Sequence, residues 1–251
     1  MEFPNRTRLL VSPHMKGAAH FIAPGLNEFN DMAFVMHFLR PGEMFADVGA
    51  NVGAFTVLAA GVAGAHALCF EPSAETFDML SRNVRLNNLS DRVRPVNAVV
   101  GRSIGSVQFS SGLGTENHVA AAAEKDNSVT VPMTTLDHEL AATPAILLKV
   151  DVEGFETEVF GGAESTLKNP ALQAIITEHN GFGNRYGYDE EALHVTIRSH
   201  GFKACTYEPF ERRLRPLGEG EGGNIIYIRN VDAANERLRT AAAFQLGSLK
   251  V

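Results

Sequence analysis

The stretch Phe45-Ala46-Asp47-Val48-Gly49-Ala50-Asn51-Val52-Gly53-Ala54-Phe55-Thr56 decides the fold. It passes from an apolar strand end into the start of an apolar helix. Glycines at 49 and 53 remove Cβ atoms where the backbone turns sharply and a ligand comes close. The N–H groups opening the following helix have no partner within it, so they meet negative or polar ligand atoms. About twenty residues on, Phe70-Glu71-Pro72 sets a carboxylate at the tip of the next strand-like run, where it can accept two hydrogen bonds from a ribose diol. Loop and acid together predict a nucleoside-containing cofactor.

The spacing narrows the choice. A dinucleotide loop reads Gly-x-Gly-x-x-Gly, because the backbone must approach a pyrophosphate closely. Here the glycines follow Gly-x-x-x-Gly, and Asp47 stands directly before them. A carboxylate repels phosphates but pairs with the ammonium of a methionine moiety. S-adenosylmethionine is therefore expected over NAD. An NAD-linked oxidoreductase is the alternative enzyme, and a non-catalytic S-adenosylmethionine-binding module the alternative outside catalysis.

Outward from the loop, apolar runs alternate with helical patterns, which predicts βαβ units and a parallel sheet. Strands are expected at 44–48, 66–70, 93–100, 146–152 and 172–177, and helices at 54–62, 74–87, 156–167 and 190–200. Ser73 is the expected N-cap of the second helix, and Gly201 suits the C′ position after the last. Two extended pieces, 105–110 and 128–133, flank the irregular segment 112–126. Runs at 202–207 and 224–228 have no room for a helix between them and should pair antiparallel. The expected fold is α/β and Rossmann-like, with a mostly parallel seven-stranded sheet, helices on both faces and a C-terminal antiparallel hairpin. Residues 1–43 read as an N-terminal helical cap, clearest at 27–39. Residues 44–230 read as the main domain, and 231–251 as a C-terminal tail whose helix spans 232–246.

Bulk properties exclude several classes. The 251 residues are 45% hydrophobic and 20% charged, with formal net charge −7. Arg212-Arg213-Leu214-Arg215 is the longest basic patch, so no nucleic-acid face is expected. Cys69 and Cys205 each sit in an apolar stretch, which predicts neither a disulfide nor a zinc site and fits a reducing, cytoplasmic setting. The N-terminus lacks the apolar run of a secretory signal. Residues 52–70 are largely apolar, yet three glycines, Thr56 and His66 point to a buried helix and strand rather than a membrane span.

A second constellation breaks a core rule. Leu147-Leu148-Lys149-Val150-Asp151-Val152-Glu153-Gly154 starts as a buried strand and then carries charge. A period of two puts Lys149, Asp151 and Glu153 on one side. Such charges are costly to bury unless they pair or bind something. Lys149–Asp151 also fits an ion pair that serves packing alone. Glu156 and Glu158 fall in the next helix's first turn, where its dipole favours them. The following strand ends in Thr177-Glu178-His179-Asn180. His179 is the leading candidate for a general base, with His118 as rival, and Asp151 and Glu153 are further catalytic candidates. For either histidine a hydrogen-bonding role stands equally open. Asp151, Glu153, Glu178 and His179 suit a hard divalent cation by ligand type, but their spacing matches no metal motif, so no metal is assigned.

These pieces, with Thr134-Thr135-Leu136-Asp137 and Ile175-Ile176-Thr177-Glu178, resemble the FkbM family of methyltransferases. The Lys-x-Asp-x-Glu-Gly-x-Glu run from Lys149 to Glu156 is the most specific of them. The resemblance implies a Rossmann-like methyltransferase that uses S-adenosylmethionine to methylate hydroxyl oxygens, commonly on sugars or polyketide-type natural products. It implies that Asp47, Gly49, Asn51 and Glu71 serve the cofactor, with Asn97 and Ala98 near the adenine. Gly53, Phe55, Thr56 and Asp151 complete the expected cofactor contacts. The acceptor is expected to be a small molecule or glycan. It would be chosen by the N-terminal cap, the 112–126 segment and the 181–188 loop, where Phe182, Arg185, Tyr186 and Tyr188 offer aromatic and cationic contacts or simply pack.

Overall fold

The computed structural model describes residues 2–11, 26, 28–110, 117–121, 128–218, 223–247 and 249–251. In chain order it forms α1 (Phe29–Phe38), β1 (Met44–Val48), α2 (Ala54–Gly61), β2 (His66–Phe70), α3 (Ala74–Leu86), β3 (Val93–Val96) and β4 (Val99–Val100). Then come β5 (Gly105–Ser110), β6 (Ser128–Thr134), α4 (Leu136–Glu139), β7 (Leu147–Val150), α5 (Glu156–Gly161), α6 (Glu164–Lys168) and β8 (Ala174–His179). The chain ends with α7 (Glu190–Ser199), β9 (Lys203–Glu208), β10 (Arg213–Pro216), β11 (Gly223–Ile228), α8 (Val231–Arg239) and the ribbon β12 (Gln245–Leu246) with β13 (Leu249–Lys250).

The main sheet runs β10-β9-β11-β8-β7-β1-β2-β3. From β3 to β8 the strands are parallel, and β11, β9 and β10 close the sheet antiparallel. This is the Rossmann-like α/β fold, a parallel core with an antiparallel C-terminal end. Its central strands are apolar on both faces because helices cover both. One core gathers Phe45, Leu147, Ile176 and Ile226 with α1, α2 and α8, and the other gathers Val48, Leu148, Ile175 and Tyr227 under the later helices. No helix among the described residues is long and apolar enough to cross a membrane.

Several expectations are corrected. The sheet has eight strands rather than seven. The added edge strand β10 falls on the basic patch, where only Leu214 is buried, so no alternating apolar pattern announced it. The third strand breaks at Asn97-Ala98, and β4 joins a separate three-stranded sheet, β4-β6-β5. The 156–167 helix is two helices. A Cβ on Gly162 would stand 2.1 Å from the Gly101 carbonyl oxygen, so the chain turns there to pack against the β4 end. The tail helix stops at Arg239. Ser73 caps α3 through the Thr76 N–H (3.5 Å), and Gly201 follows α7 at φ +88°, both as expected. Most of the 112–126 segment and much of the N-terminal cap, residues 12–25 and 27, lie outside the described residues.

Within the cap, α1 is fixed on the sheet. Phe34 and Phe38 are buried to below 2% exposure, each worth about 1.5–3 kcal/mol. His37 Nδ1 lies 2.7 Å from the Tyr207 hydroxyl of β9. Burial and the nearby Arg212 push the His37 pKa down to about 4, so its imidazole is neutral.

Candidate active site

A cavity of about 240 Å³ opens at the carboxyl ends of β1, β2 and β7, the edge at which open α/β sheets bind ligands. Its charged lining is Glu28, Asp47, Glu71, Lys149, Asp151 and Glu153. Five carboxyl groups face one ammonium. Such a wall suits a cationic ligand and repels a pyrophosphate, so the dinucleotide alternative loses its electrostatic footing.

The β1–β2 half is held mainly by backbone. Glu71 accepts the Asn51 N–H at Oε2 (3.1 Å) and the Ser73 N–H at Oε1 (2.8 Å). Each oxygen keeps a lone pair for a ribose hydroxyl. Burial drives the Glu71 pKa up to about 7, against the pull of these two N–H groups. Asn51 holds φ +51°, a left-handed value uncommon outside glycine. Gly49 admits no side chain: at φ +80°, a Cβ would stand 1.8 Å from the Asp151 carbonyl oxygen. Glycine here lets β1 and β7 close on one another.

Asp47 is fully buried on the cavity wall. Its Oδ2 accepts the Thr56 hydroxyl at 2.6 Å, while Oδ1 has no partner among the described residues. Burial raises its pKa, with Lys149 and the Thr56 hydroxyl opposing. An orphaned, buried carboxylate oxygen marks a missing donor. By chemistry, Asp47 Oδ1 can accept from an ammonium such as that of S-adenosylmethionine, and Glu71 from a ribose diol. Ala50, Asn51, Phe55 and Ala98 line the same cavity. Thr56 acts through Asp47, and Gly53, at φ +87°, opens α2 against Leu80. The Asn97 amide donates to the carbonyls of Glu71 (2.8 Å) and Pro72 (3.0 Å), so it shapes the β2 exit.

The β7 half is built from side-chain charge. Lys149, 2% exposed, donates to Asp151 Oδ2 at 2.7 Å and lies 4.6 Å over the Phe55 ring. Asp151, Glu28 and Asp47 outweigh its burial and hold it protonated. Glu153 takes φ +56° and Gly154 follows at φ +98°, packed against the backbone of Phe182. Glu156 pins this turn by accepting the N–H groups of Val152 (3.1 Å) and Gly154 (3.3 Å). Glu158 instead pairs with Arg102 at 3.0 Å. Glu178 shares the Lys149 face of the sheet. Burial, then the charges of Asp151 and Glu153, bring its pKa up to about 8.

The histidines stand elsewhere. Strand alternation turns His179 to the face opposite Glu178, where its Nε2 lies 3.2 Å from Glu190 and its ring 4.3 Å from that of His194. His118 is buried, its N–H donating to Ser110 Oγ (2.9 Å); its neighbour Asn117 lines the cavity. No group of three or more His, Cys, Asp or Glu among the described residues is arranged to hold a metal. Tyr186 donates to the Val119 carbonyl at 2.6 Å and meets Phe155 edge-on, docking the 182–186 turn on the small sheet. Residues not singled out from sequence also line the cavity: Glu28, Met32, Phe109, Val119 and Phe155. Nothing local to them signals a site; only the fold brings them to Asp47.

A family model described as the methyltransferase FkbM domain matches residues 47–204. No curated protein matches the chain. Among solved structures, the C-terminal domain of precorrin-6Y C5,15-methyltransferase from Rhodobacter capsulatus is 15% identical, covering 90% of this chain and 97% of that one at TM-score 0.48. An rRNA methylase from Streptococcus thermophilus is 14% identical, covering 78% and 91% at TM-score 0.45. M. capricolum TrmK, solved with its natural cofactor product S-adenosylhomocysteine, is 9% identical, covering 80% and 68% at TM-score 0.45. The match spans both the Asp47–Gly53 loop and the Lys149–Glu156 run, whose residues wall one cavity. S-adenosylmethionine is the methyl donor, and the chain belongs to the FkbM family of S-adenosylmethionine-dependent methyltransferases.

Proposed function

We propose that the chain methylates a hydroxyl oxygen of a polyhydroxylated small molecule or glycan, such as a sugar or a polyketide-type product. The observation that carries this reading is the Asp151 carboxylate, held at the cavity wall by Lys149 at 2.7 Å with Glu153 beside it. Once Asp47 and Glu71 serve the cofactor, these two carboxylates remain as hydrogen-bond acceptors. They suit an acceptor rich in O–H donors and repel one bearing carboxylate or phosphate. The net charge of −7 likewise disfavours nucleic acid.

S-adenosylmethionine supplies a methyl group already activated by its positive sulfur. The chain's own work is to align the acceptor oxygen and to receive its proton. Asp151 is the proposed base, oriented by Lys149, and a positioned base contributes about 10²–10⁴-fold. His179 remains the alternative from sequence and would have to act from the Glu190 side. Incubation with isotope-labelled S-adenosylmethionine and a panel of polyols, amines and RNA should label polyols at oxygen. Label on nitrogen or RNA alone would overturn the reading. Asp151→Asn should lower turnover about 10²–10⁴-fold with S-adenosylhomocysteine still bound. The opposite pattern, an inert His179→Ala beside an active Asp151→Asn, would move the base to His179.

A further inference from the structure

Glu28 brings a carboxylate to the cavity from outside the family-matched segment. It immediately precedes α1, and its carbonyl accepts the Met32 N–H at 2.9 Å. Its Oε2 accepts from the Asn224 amide at 2.6 Å, and the same nitrogen lies 3.1 Å from Asp31 Oδ2. Asn224 stands on β11 in register with Glu178. One amide thus gathers two acids from the other end of the chain. Burial raises the pKa of both, that of Asp31 up to about 7, in surroundings short of positive charge.

A second, independent observation points the same way: Asp47 Oδ1, fully buried on the same cavity wall, has no partner among the described residues. Lys149 supplies none. Its ammonium donates to Asp151 and lies over the Phe55 ring. Glu28, half-buried, lines the same cavity wall.

We propose that Glu28 is a second carboxylate for the methionine ammonium of the cofactor, and that Asn224 is the positioning residue that presents it. An ammonium has three donors and no acceptor, so one orphaned oxygen of Asp47 cannot satisfy it. Glu28 adds a charged acceptor from a helix that the aromatic contacts of Phe34 and Tyr207 hold in place. The cofactor site therefore extends to both ends of the chain, beyond residues 47–204. The inference rests on the cofactor alone and is independent of which acceptor is methylated.

Calorimetry with two ligands tests it. S-adenosylhomocysteine carries the ammonium, and methylthioadenosine lacks the whole amino-acid end. Glu28→Gln should weaken S-adenosylhomocysteine about 10–100-fold, the loss of a charge-assisted hydrogen bond, and leave methylthioadenosine unchanged. Asn224→Ala should shift the same ligand selectively, by a smaller factor. Unchanged S-adenosylhomocysteine affinity in Glu28→Gln would overturn the inference, leaving Glu28 as a mere counter-charge for Lys149. Equal loss of both ligands would overturn it too, by tracing the effect to the fold. A wild-type protein that binds methylthioadenosine but not S-adenosylhomocysteine would remove the cofactor assignment and this inference together.

Discussion

The two halves of the cavity are built by different physics. On the β1–β2 side, Glu71 is held by two backbone N–H groups, and the turn is made by Gly49 and by Asn51 in a left-handed conformation. On the β7–β8 side, Lys149, Asp151, Glu153 and Glu178 form a cluster of side-chain charges with one ammonium at its centre. The backbone-built half is the one proposed to hold the nucleoside cofactor. The charge-built half is the one proposed to face the acceptor. It is also the more fragile half: removing one ion leaves several opposite ions uncompensated in low dielectric.

The largest expected effect tests that fragility. Lys149→Met should cost about 3–5 kcal/mol, since it strands Asp151, Asp47 and Glu28 without their cation. Urea melts will show it, and the loss should grow with pH as the carboxylates ionise. A variant as stable as the wild type would mean that the charge cluster is not held by its lysine. Next comes Gly49→Ala, where the halves meet. Its Cβ would lie 1.8 Å from the Asp151 carbonyl oxygen at φ +80°. Overpacking and left-handed strain together predict a loss of about 2–4 kcal/mol, with cofactor affinity falling alongside. Retained affinity would show that the halves bind independently.

The smallest effect is in pH. Asp31, Glu71 and Glu156 have pKa values raised to about 7, and Glu178 to about 8. Each folded-state pKa lies above its unfolded value, so the folded chain binds more protons in between. Stability from these groups is complete below about pH 4 and is lost as pH rises through about 7–8. His37, depressed to about 4, works the opposite way but only below about pH 6.5. The four acids outnumber the one histidine, so the ligand-free melting temperature should fall between about pH 5 and 8. Bound cofactor should flatten that fall, because its cationic end and ribose favour ionised Asp47 and Glu71. A melting temperature that rises across this window would break the picture of under-compensated acids.

Legibility followed the same divide. Asp47, the glycines and Glu71 could be read because one loop and the next strand tip lie within a short span of chain. Lys149 and Asp151 could be read as misplaced charge, since a core strand tolerates none without a reason. The faces could not be read. Adjacent strand residues such as Glu178 and His179 point apart, and only the structure shows that Glu178 is the one sharing the Lys149 face.

What the sequence determined by itself is the parallel α/β core, the glycine turn after its first strand and the family, because these rest on local periodicity, on glycine where a Cβ cannot go, and on contiguous motifs. What the tertiary structure decided is the membership of the site. Glu28 and Asn224 meet across 196 residues. Their meeting depends on α1 docking against β9 and on β11 inserting beside β8, and packing over such distances leaves no local trace in the chain.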